Sequence, residues 1–478
     1  MPRPNILYIM ADDHTSQAWG CYNSRLAPYI NTPSIDSIAE DGALLENCFC
    51  TNSICVPSRA TILTGQHSHV NDVRTLRDEL DPERDHVAKR LQNAGYSTAI
   101  LGKWHLRTEP RGFDYFNVLH NQGRYHNPIL WEKGEDWDGE GTEYEGHSTD
   151  IITDETLKWL KSQEESDDPF FCMCHFKATH GPFYSHERYR ELYDNVEFPE
   201  PEDLLWEESP RDKVFDGWPL EIHKQRCLDN PDHNPPPKLD VEGMNDEDAR
   251  RATYQKMVHD YMRTVAGIDD NIGRLLHYLR EAGLDEDTVV IYTSDQGYFL
   301  GEHNLFDKRF MLEESLRMPF IVRYPEEIEP GTVVDDIITN LDFAELFLDY
   351  ASEDVPDAMQ GRSFRPNLRG ETPDDWRTST YYHYWTPYAP ERPSHYGVRT
   401  KDRKLIYYYG LVRDDGRQPE NCWEFYDLAS DPHERQNRYD DPEYGREVAN
   451  LKEELLRLRQ RYGDTADPVE VYPAREGE

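Results

Sequence analysis

A chain of 478 residues, 37% hydrophobic and 12% aromatic, can bury a large core; this excludes a disordered protein and sets an expectation of about two domains. Its 93 acidic against 52 basic residues leave a formal net charge of −41, which argues against nucleic acid and anionic membrane surfaces as partners. Arginine outnumbers lysine and acids occur in every region, as on a salt-adapted, halophilic surface; an ordinary acidic protein is the equal alternative.

Met1-Pro2-Arg3-Pro4 leads directly into the apolar run Asn5–Met10, with no signal peptide and no stretch of transmembrane length. A soluble, cytoplasmic protein is expected, or an exported one if a leader was trimmed. The run reads as a central strand covered on both faces. It ends at Asp12-Asp13, where adjacent carboxylates are costly without a cation. A helix N-cap is the alternative, although one Asp would suffice for that. A helix begins near Pro33, and 43–49 reads as a strand feeding Cys55-Val56-Pro57-Ser58-Arg59. Pro57 suits the first turn of a helix running to about Leu63. The helix N-terminus and Arg59 would lower a thiol pKa at Cys55 or hold an anion there; a buried structural cysteine is the alternative. Eight cysteines without C-x-x-C pairs fit reduced core thiols better than a disulfide scaffold or a zinc site.

A helix over 87–94 stops at Gly95, and the strand 96–101 runs into Lys103-Trp104-His105. Residues 107–150 read as loop and include Gln122, Arg124 and His126. A helix over 151–161 and a strand over 169–176 follow, the latter ending before His180. The acidic, proline-rich stretch 184–247 reads as a surface excursion. Apolar residues from Val258 to Leu279 recur at helical spacing, with Gly283 as the stop. The β-branched strand Thr288–Thr293 ends at Asp295-Gln296, followed by His303 and Lys308, and 319–324 is a further strand. Alternating strands and helices predict an α/β domain, residues 1–365, with a large, mainly parallel sheet between helices. Residues 366–478 read as a smaller α+β subdomain with short antiparallel strands around 383–385, 396–399 and 404–409 and a helix over 450–461.

Asp12, Asp13, Asp295 and Gln296 form an all-oxygen set at strand ends. Such a set selects a hard cation, Ca²⁺ ahead of Mg²⁺. Arg59, Lys103 and Lys308 supply positive charge for an anion, and His105 and His180 can move protons near neutral pH.

In this order, Asp12-Asp13, Cys55-x-Pro57-Ser58-Arg59, Gly102-Lys103-Trp104-His105, His180 and Ser294-Asp295-Gln296-Gly297 with Lys308 resemble the type I sulfatases. The resemblance implies an alkaline-phosphatase-like sandwich and hydrolysis of sulfate esters. It further implies that a formylglycine-generating enzyme converts Cys55 to an aldehyde. The aldehyde hydrate is the nucleophile, beside the metal held by Asp12, Asp13, Asp295 and Gln296 with residue 55. Arg59 orients it, Lys103 and Lys308 hold the sulfuryl oxygens, His180 protonates the leaving oxygen and His105 helps expel sulfate. Gln296 stands where many relatives carry Asn; both offer an amide oxygen. The chain looks most like enzymes acting on sulfated polysaccharides or glycosaminoglycans. The favoured substrate is 6-O-sulfated N-acetylglucosamine, with iduronate-2-sulfate or an algal polysaccharide sulfate close behind. Candidate sugar contacts are His303, Arg124, His126, His395 and Arg399. A phosphodiesterase or phosphonate monoester hydrolase of the same fold, and a non-catalytic sugar-binding relative, are the rival readings.

Overall fold

The computed structural model describes residues 3–206, 220–385, 393–409 and 422–465. A ten-stranded sheet forms its centre. Five neighbouring strands run parallel in the order Thr288–Ser294, Asn5–Ala11, Phe170–His175, Ser97–Lys103 and Tyr115–Leu119. Shorter strands extend both sides, antiparallel at the first step outward. The first strand shows why its sequence is uninterrupted by polar residues. Ile6, Tyr8 and Met10 enter the core on one face and Leu7, Ile9 and Ala11 that on the other. A strand buried on both faces has no position left for an alternating polar residue.

Helices cover both faces. The helix Cys55–Thr64 is buried along its whole length and packs with Phe343–Tyr350 on one side. The opposite side carries Pro33–Glu40, Ser148–Ser162 and the 36-residue helix Asp246–Glu281. At 1.5 Å per residue the last is about 54 Å long. It starts well before its apolar stripe because Asn245 caps it, its side chain accepting from the Asp248 amide at 2.8 Å.

Three sequence expectations change. Residues 107–150 are not all loop: Tyr115–Leu119, Ile129–Glu132 and Thr142–Glu143 complete one edge of the sheet. Their apolar runs are too short and too interrupted to stand out. The predicted strand over 43–49 divides into Ala43–Leu45 and Cys48–Phe49, which pair in different sheets. The excursion after Tyr184 contributes a helix, Leu220–Asp229, whose Leu220 and Cys227 are buried.

Near the C-terminus, Ser379–Tyr384, Ser394–Thr400, Arg403–Tyr409 and Cys422–Asp427 form an antiparallel sheet. One face takes Leu451, Leu455 and Leu458 of the helix Gly445–Tyr462. The other sends Tyr382, Tyr384 and Ile406 into the core of the large sheet. Among the described residues no helix is long and apolar enough to cross a membrane.

Candidate active site

Parallel pairing puts the C-terminal ends of neighbouring strands on one edge of the sheet, the usual place for ligands in open α/β sheets. The register Ala11↔Ser294 sets Asp12 and Asp13 beside Asp295. Met10↔His175 and Gly102↔His175 bring the segments after His175 and Gly102 to the same edge. Gly102 allows the close approach: its φ is +88°, and a Cβ there would collide with the His175 carbonyl. Positive φ at Asp13 (70°), His105 (62°), Asp307 (77°) and Arg309 (97°) marks the loops leaving these strands. Non-glycine residues hold that conformation only where the surroundings impose it, commonly at functional sites.

Asp12, Asp13 and Asp295 are buried, each offering an oxygen, and those oxygens lie within 4.8 Å of one another. Each carboxylate has its own cation. Lys103 pairs with Asp12. Lys308 reaches both Asp13 oxygens at 2.5 and 2.6 Å. Arg59 Nε donates to Asp295 at 2.9 Å. Burial raises all three carboxylates in pKa. Lys103, His180 and Arg59 outweigh it at Asp12, which is held well below the usual range. Burial prevails at Asp13, which is raised, and at Asp295, which burial and then Asp12 push up to about 7.

Gln296 donates to Asp13 at 2.5 Å, while its buried Oε1 has no hydrogen-bond partner. An orphaned amide oxygen beside three convergent carboxylates is the donor set of a hard divalent cation, so these residues fit such an ion.

Cys55 opens its helix, N-capped by Ile54, and its Sγ lies 3.3 Å from Asp12 Oδ1. The expected lowered thiol pKa is not found. Burial and then Asp12 push the thiol up, against Lys308. Unmodified, it is a poor nucleophile at neutral pH. Arg59 lies one turn along and also donates to the Lys103 carbonyl at 2.6 Å.

His105 and His180 flank the cluster. Burial and then Lys103 lower His105; burial lowers His180, against Asp12. His180 Nδ1 is 2.6 Å from the Gly181 carbonyl, so Nδ1 carries the hydrogen and Nε2, 3.8 Å from Asp13, faces the site.

The candidate sugar contacts divide. His303 is buried between Asp203 at 3.4 Å and Glu314 at 3.5 Å. Arg124 is exposed and pairs with Glu143 at 2.6 Å; His126 is exposed next to it. The structure does not bring His395 and Arg399 to the carboxylates. His395 accepts from the Met311 amide at 3.2 Å and stacks on Phe310 and Tyr382. Arg399 forks onto Glu313 at 2.9 and 3.0 Å and lies over Phe49. Both brace the segment after Lys308.

Neither Gln122, noted only as part of a loop, nor Lys177 was given a place at the site by the sequence. Gln122 accepts from Lys103 at 2.7 Å. Lys177 is 3% exposed, and burial and then Lys103 push its amine down to about 7. Its signal was available: Lys177-x-x-His180 follows a strand just as Lys103-x-His105 does.

Comparison with known proteins agrees with this geometry. A sulfatase family model matches residues 4–353, and a model of the N-sulphoglucosamine sulphohydrolase C-terminal region matches 301–461. The N-acetylglucosamine-6-O-sulfatase of Bacteroides thetaiotaomicron is 38% identical over 98% of this chain and 88% of its own. A protein solved in complex with its substrate D-glucosamine-2-N,6-O-disulfate is 37% identical, with a TM-score of 0.84 over 98% of this chain and all of that one. The phosphonate monoester hydrolase of Silicibacter pomeroyi, 22% identical over 97% of each chain with a TM-score of 0.74, shares the fold alone. The architecture is alkaline-phosphatase-like, and with the carboxylates, the C-x-P-S-R helix start and the lysines assembled on one sheet edge, the chain belongs to the sulfatase family.

Proposed function

We propose that this sulfatase removes O-sulfate from a carbohydrate, with 6-O-sulfated N-acetylglucosamine as the favoured substrate. The observation that carries the proposal is the convergence, around Cys55, of three buried carboxylates, an orphaned amide oxygen and cations on every side. The similarity to an N-acetylglucosamine-6-O-sulfatase over nearly the whole chain supports the sugar.

Asp12, Asp13, Asp295 and Gln296 would hold Ca²⁺, with Mg²⁺ the alternative; when bound, the ion supplies positive charge to polarise the sulfuryl group. Cys55 would be matured to formylglycine by a separate generating enzyme, which supplies an oxygen nucleophile in place of the thiol. The raised thiol pKa supports that exchange. The other side chains then have separable tasks. Lys103 and Lys308, set beside Asp12 and Asp13, would turn their ammonium groups to the sulfuryl oxygens as negative charge shifts during cleavage. Arg59, tethered to Asp295 and to the Lys103 carbonyl, fixes the orientation of residue 55. His180, its Nδ1–H committed to the Gly181 carbonyl, turns Nε2 to the site, and once protonated there as the imidazolium it would give that proton to the departing sugar oxygen. His105, on the Lys103 side, accepts a proton as the enzyme resets. His303, fixed by Asp203 and Glu314, lies on the loop leading to Lys308 and is proposed as a sugar contact. Residues 1–365 would form the catalytic unit and 366–478 its buttress.

A panel of defined sulfated saccharides tests the proposal, with an aryl sulfate and an aryl phosphodiester alongside. Sulfate release with preference for the 6-O-sulfated N-acetylglucosamine is expected. A large preference for the phosphodiester overturns it.

A further inference from the structure

Around the cluster, Asp12, Asp13 and Asp295 are matched one to one by Lys103, Lys308 and Arg59. Lys177 is a fourth cation at the same edge. Burial and then Lys103 push its amine down, against Asp12 and Asp13. Among the described residues no carboxylate lies within ion-pairing distance of its ammonium. What it does meet is the face of Tyr125, with Nζ 5.0 Å from the ring centroid. Tyr125 is itself fixed, its hydroxyl donating to the His180 carbonyl at 2.6 Å and its ring against His147.

The segment that carries Lys177 is tied to the acidic pair through the backbone. The Asp12 amide donates to the Ala178 carbonyl at 3.0 Å, and the Thr179 amide returns a bond to the Asp12 carbonyl at 2.8 Å. Thr179 Oγ1 donates to the Asp13 carbonyl at 3.0 Å. Lys177 therefore has a set position relative to the carboxylates and does not sample the surface. On a side chain 3% exposed, an ammonium set against an aromatic face, with no carboxylate in pairing distance among the described residues, has lost hydration that a cation–π contact replaces in part. The missing partner is an anion. With the three acid–base pairs cancelling, a bound divalent cation and Lys177 supply the surplus positive charge that an anionic ester matches.

We propose that Lys177 is a further substrate-binding residue, whose ammonium takes an oxygen of the ester's anionic group beside Lys103, on the Tyr125–His180 side of the site. The proposal rests on the sulfatase function above, so its test reads anion binding apart from turnover. Calcium-loaded protein is titrated with inorganic sulfate by calorimetry, comparing the wild type with Lys177→Met and Lys177→Arg. Lys177→Met is expected to bind sulfate about 10- to 100-fold more weakly, the loss of one charge-assisted contact. Lys177→Arg should recover most of that affinity, and calcium affinity should stay unchanged in both. A purely structural lysine would shift calcium affinity and melting temperature together and leave sulfate binding in proportion. In the wild type, sulfate should protect Lys177 from reductive methylation, read by peptide mass; this measurement stands even if Lys177→Met does not fold. Equal sulfate affinity in Lys177→Met and wild type, a wild type that binds no sulfate, or methylation of Lys177 that sulfate leaves unchanged overturns the proposal. Failure to desulfate any sugar, with these binding results intact, counts against the substrate and not against Lys177.

Discussion

Two buried clusters of charge in this molecule use the same residue types and reach different states. At the contact between the large sheet and the C-terminal sheet, Glu313 is met by Arg399, Arg317 and Lys404, each at 2.9 Å. Lys404 also pairs with Glu434 at 2.6 Å, and Glu434 accepts from the Glu313 amide at 2.7 Å. Cations separate the carboxylates, and although burial opposes them, Arg399 and Lys404 hold Glu313 well below the usual carboxylate range. At the strand ends, by contrast, three carboxylates face one another, Gln296 Oε1 is orphaned, and among the described residues no carboxylate lies within ion-pairing distance of Lys177. In the first cluster Glu313 and Glu434 both find cations within the protein, and the cluster fastens two sheets. The second has the donor set of a hard cation. Convergence of the acids on one point, more than burial or charge, separates the functional cluster from the structural one.

The largest expected effect breaks the open cluster at its centre. Cys55→Ala should cut turnover by more than about 10⁴-fold while the melting temperature stays close to wild type, because only the nucleophile is lost. Turnover that survives this change would move the chemistry elsewhere. The converse change attacks the closed cluster. Arg399→Met strips Glu313 of its forked partner and should cost about 3–5 kcal/mol in denaturant unfolding, the scale for breaking a buried pair. Activity per folded molecule should hold within about 2-fold, since the described contacts of Arg399 are to Glu313, Thr400 and Phe49 and not to the strand-end cluster. A selective loss of activity would restore it as a sugar contact.

Removal of divalent cation by a chelator comes next. It should abolish turnover and lower stability by about 2.7 kcal/mol relative to protein held at a hundredfold excess over the dissociation constant. Unchanged melting and activity would mean that the open cluster needs no ion.

The smallest effect is a pH dependence in the C-terminal sheet. His383 lies 2.7 Å from Asp464 and 2.6 Å from the Tyr409 hydroxyl, and its amide donates to the Thr51 carbonyl just before the Cys55 loop. Burial, against Asp464, lowers its pKa to about 4. A histidine whose folded pKa is depressed contributes stability that is complete above the unfolded value of about 6.5 and is lost as pH falls towards 4. The melting-temperature advantage of wild type over His383→Asn should therefore narrow by about 2 °C or more between pH 8 and pH 5. An advantage that grows on acidification would reverse the assignment.

Much of the open cluster was legible in the sequence because several members lie at or shortly after the C-terminal end of a strand. Asp12-Asp13, Lys103, His180 and Asp295 are read from strand ends, and parallel pairing alone brings those ends together. The closed cluster was not. Arg399 and His395 sit in a strand of mixed character, and nothing local tells that Glu313, 86 residues away, will take the arginine. The same limit hid the edge strands within 107–150, whose order comes from pairing partners and not from their own apolar pattern. Cys55 falls between these cases. Its helix start was readable, but helix and arginine argued for a thiolate, whereas burial and Asp12 prevail and keep the thiol protonated.

The central claim, that residue 55 acts as something other than a thiol, is tested most directly by the mass of the peptide containing it. The protein should be purified from its native host in a form that releases sulfate from a sulfate ester. The account predicts that this peptide carries the aldehyde in place of the cysteine side chain. An intact Cys55 thiol in every molecule of the active preparation would contradict it.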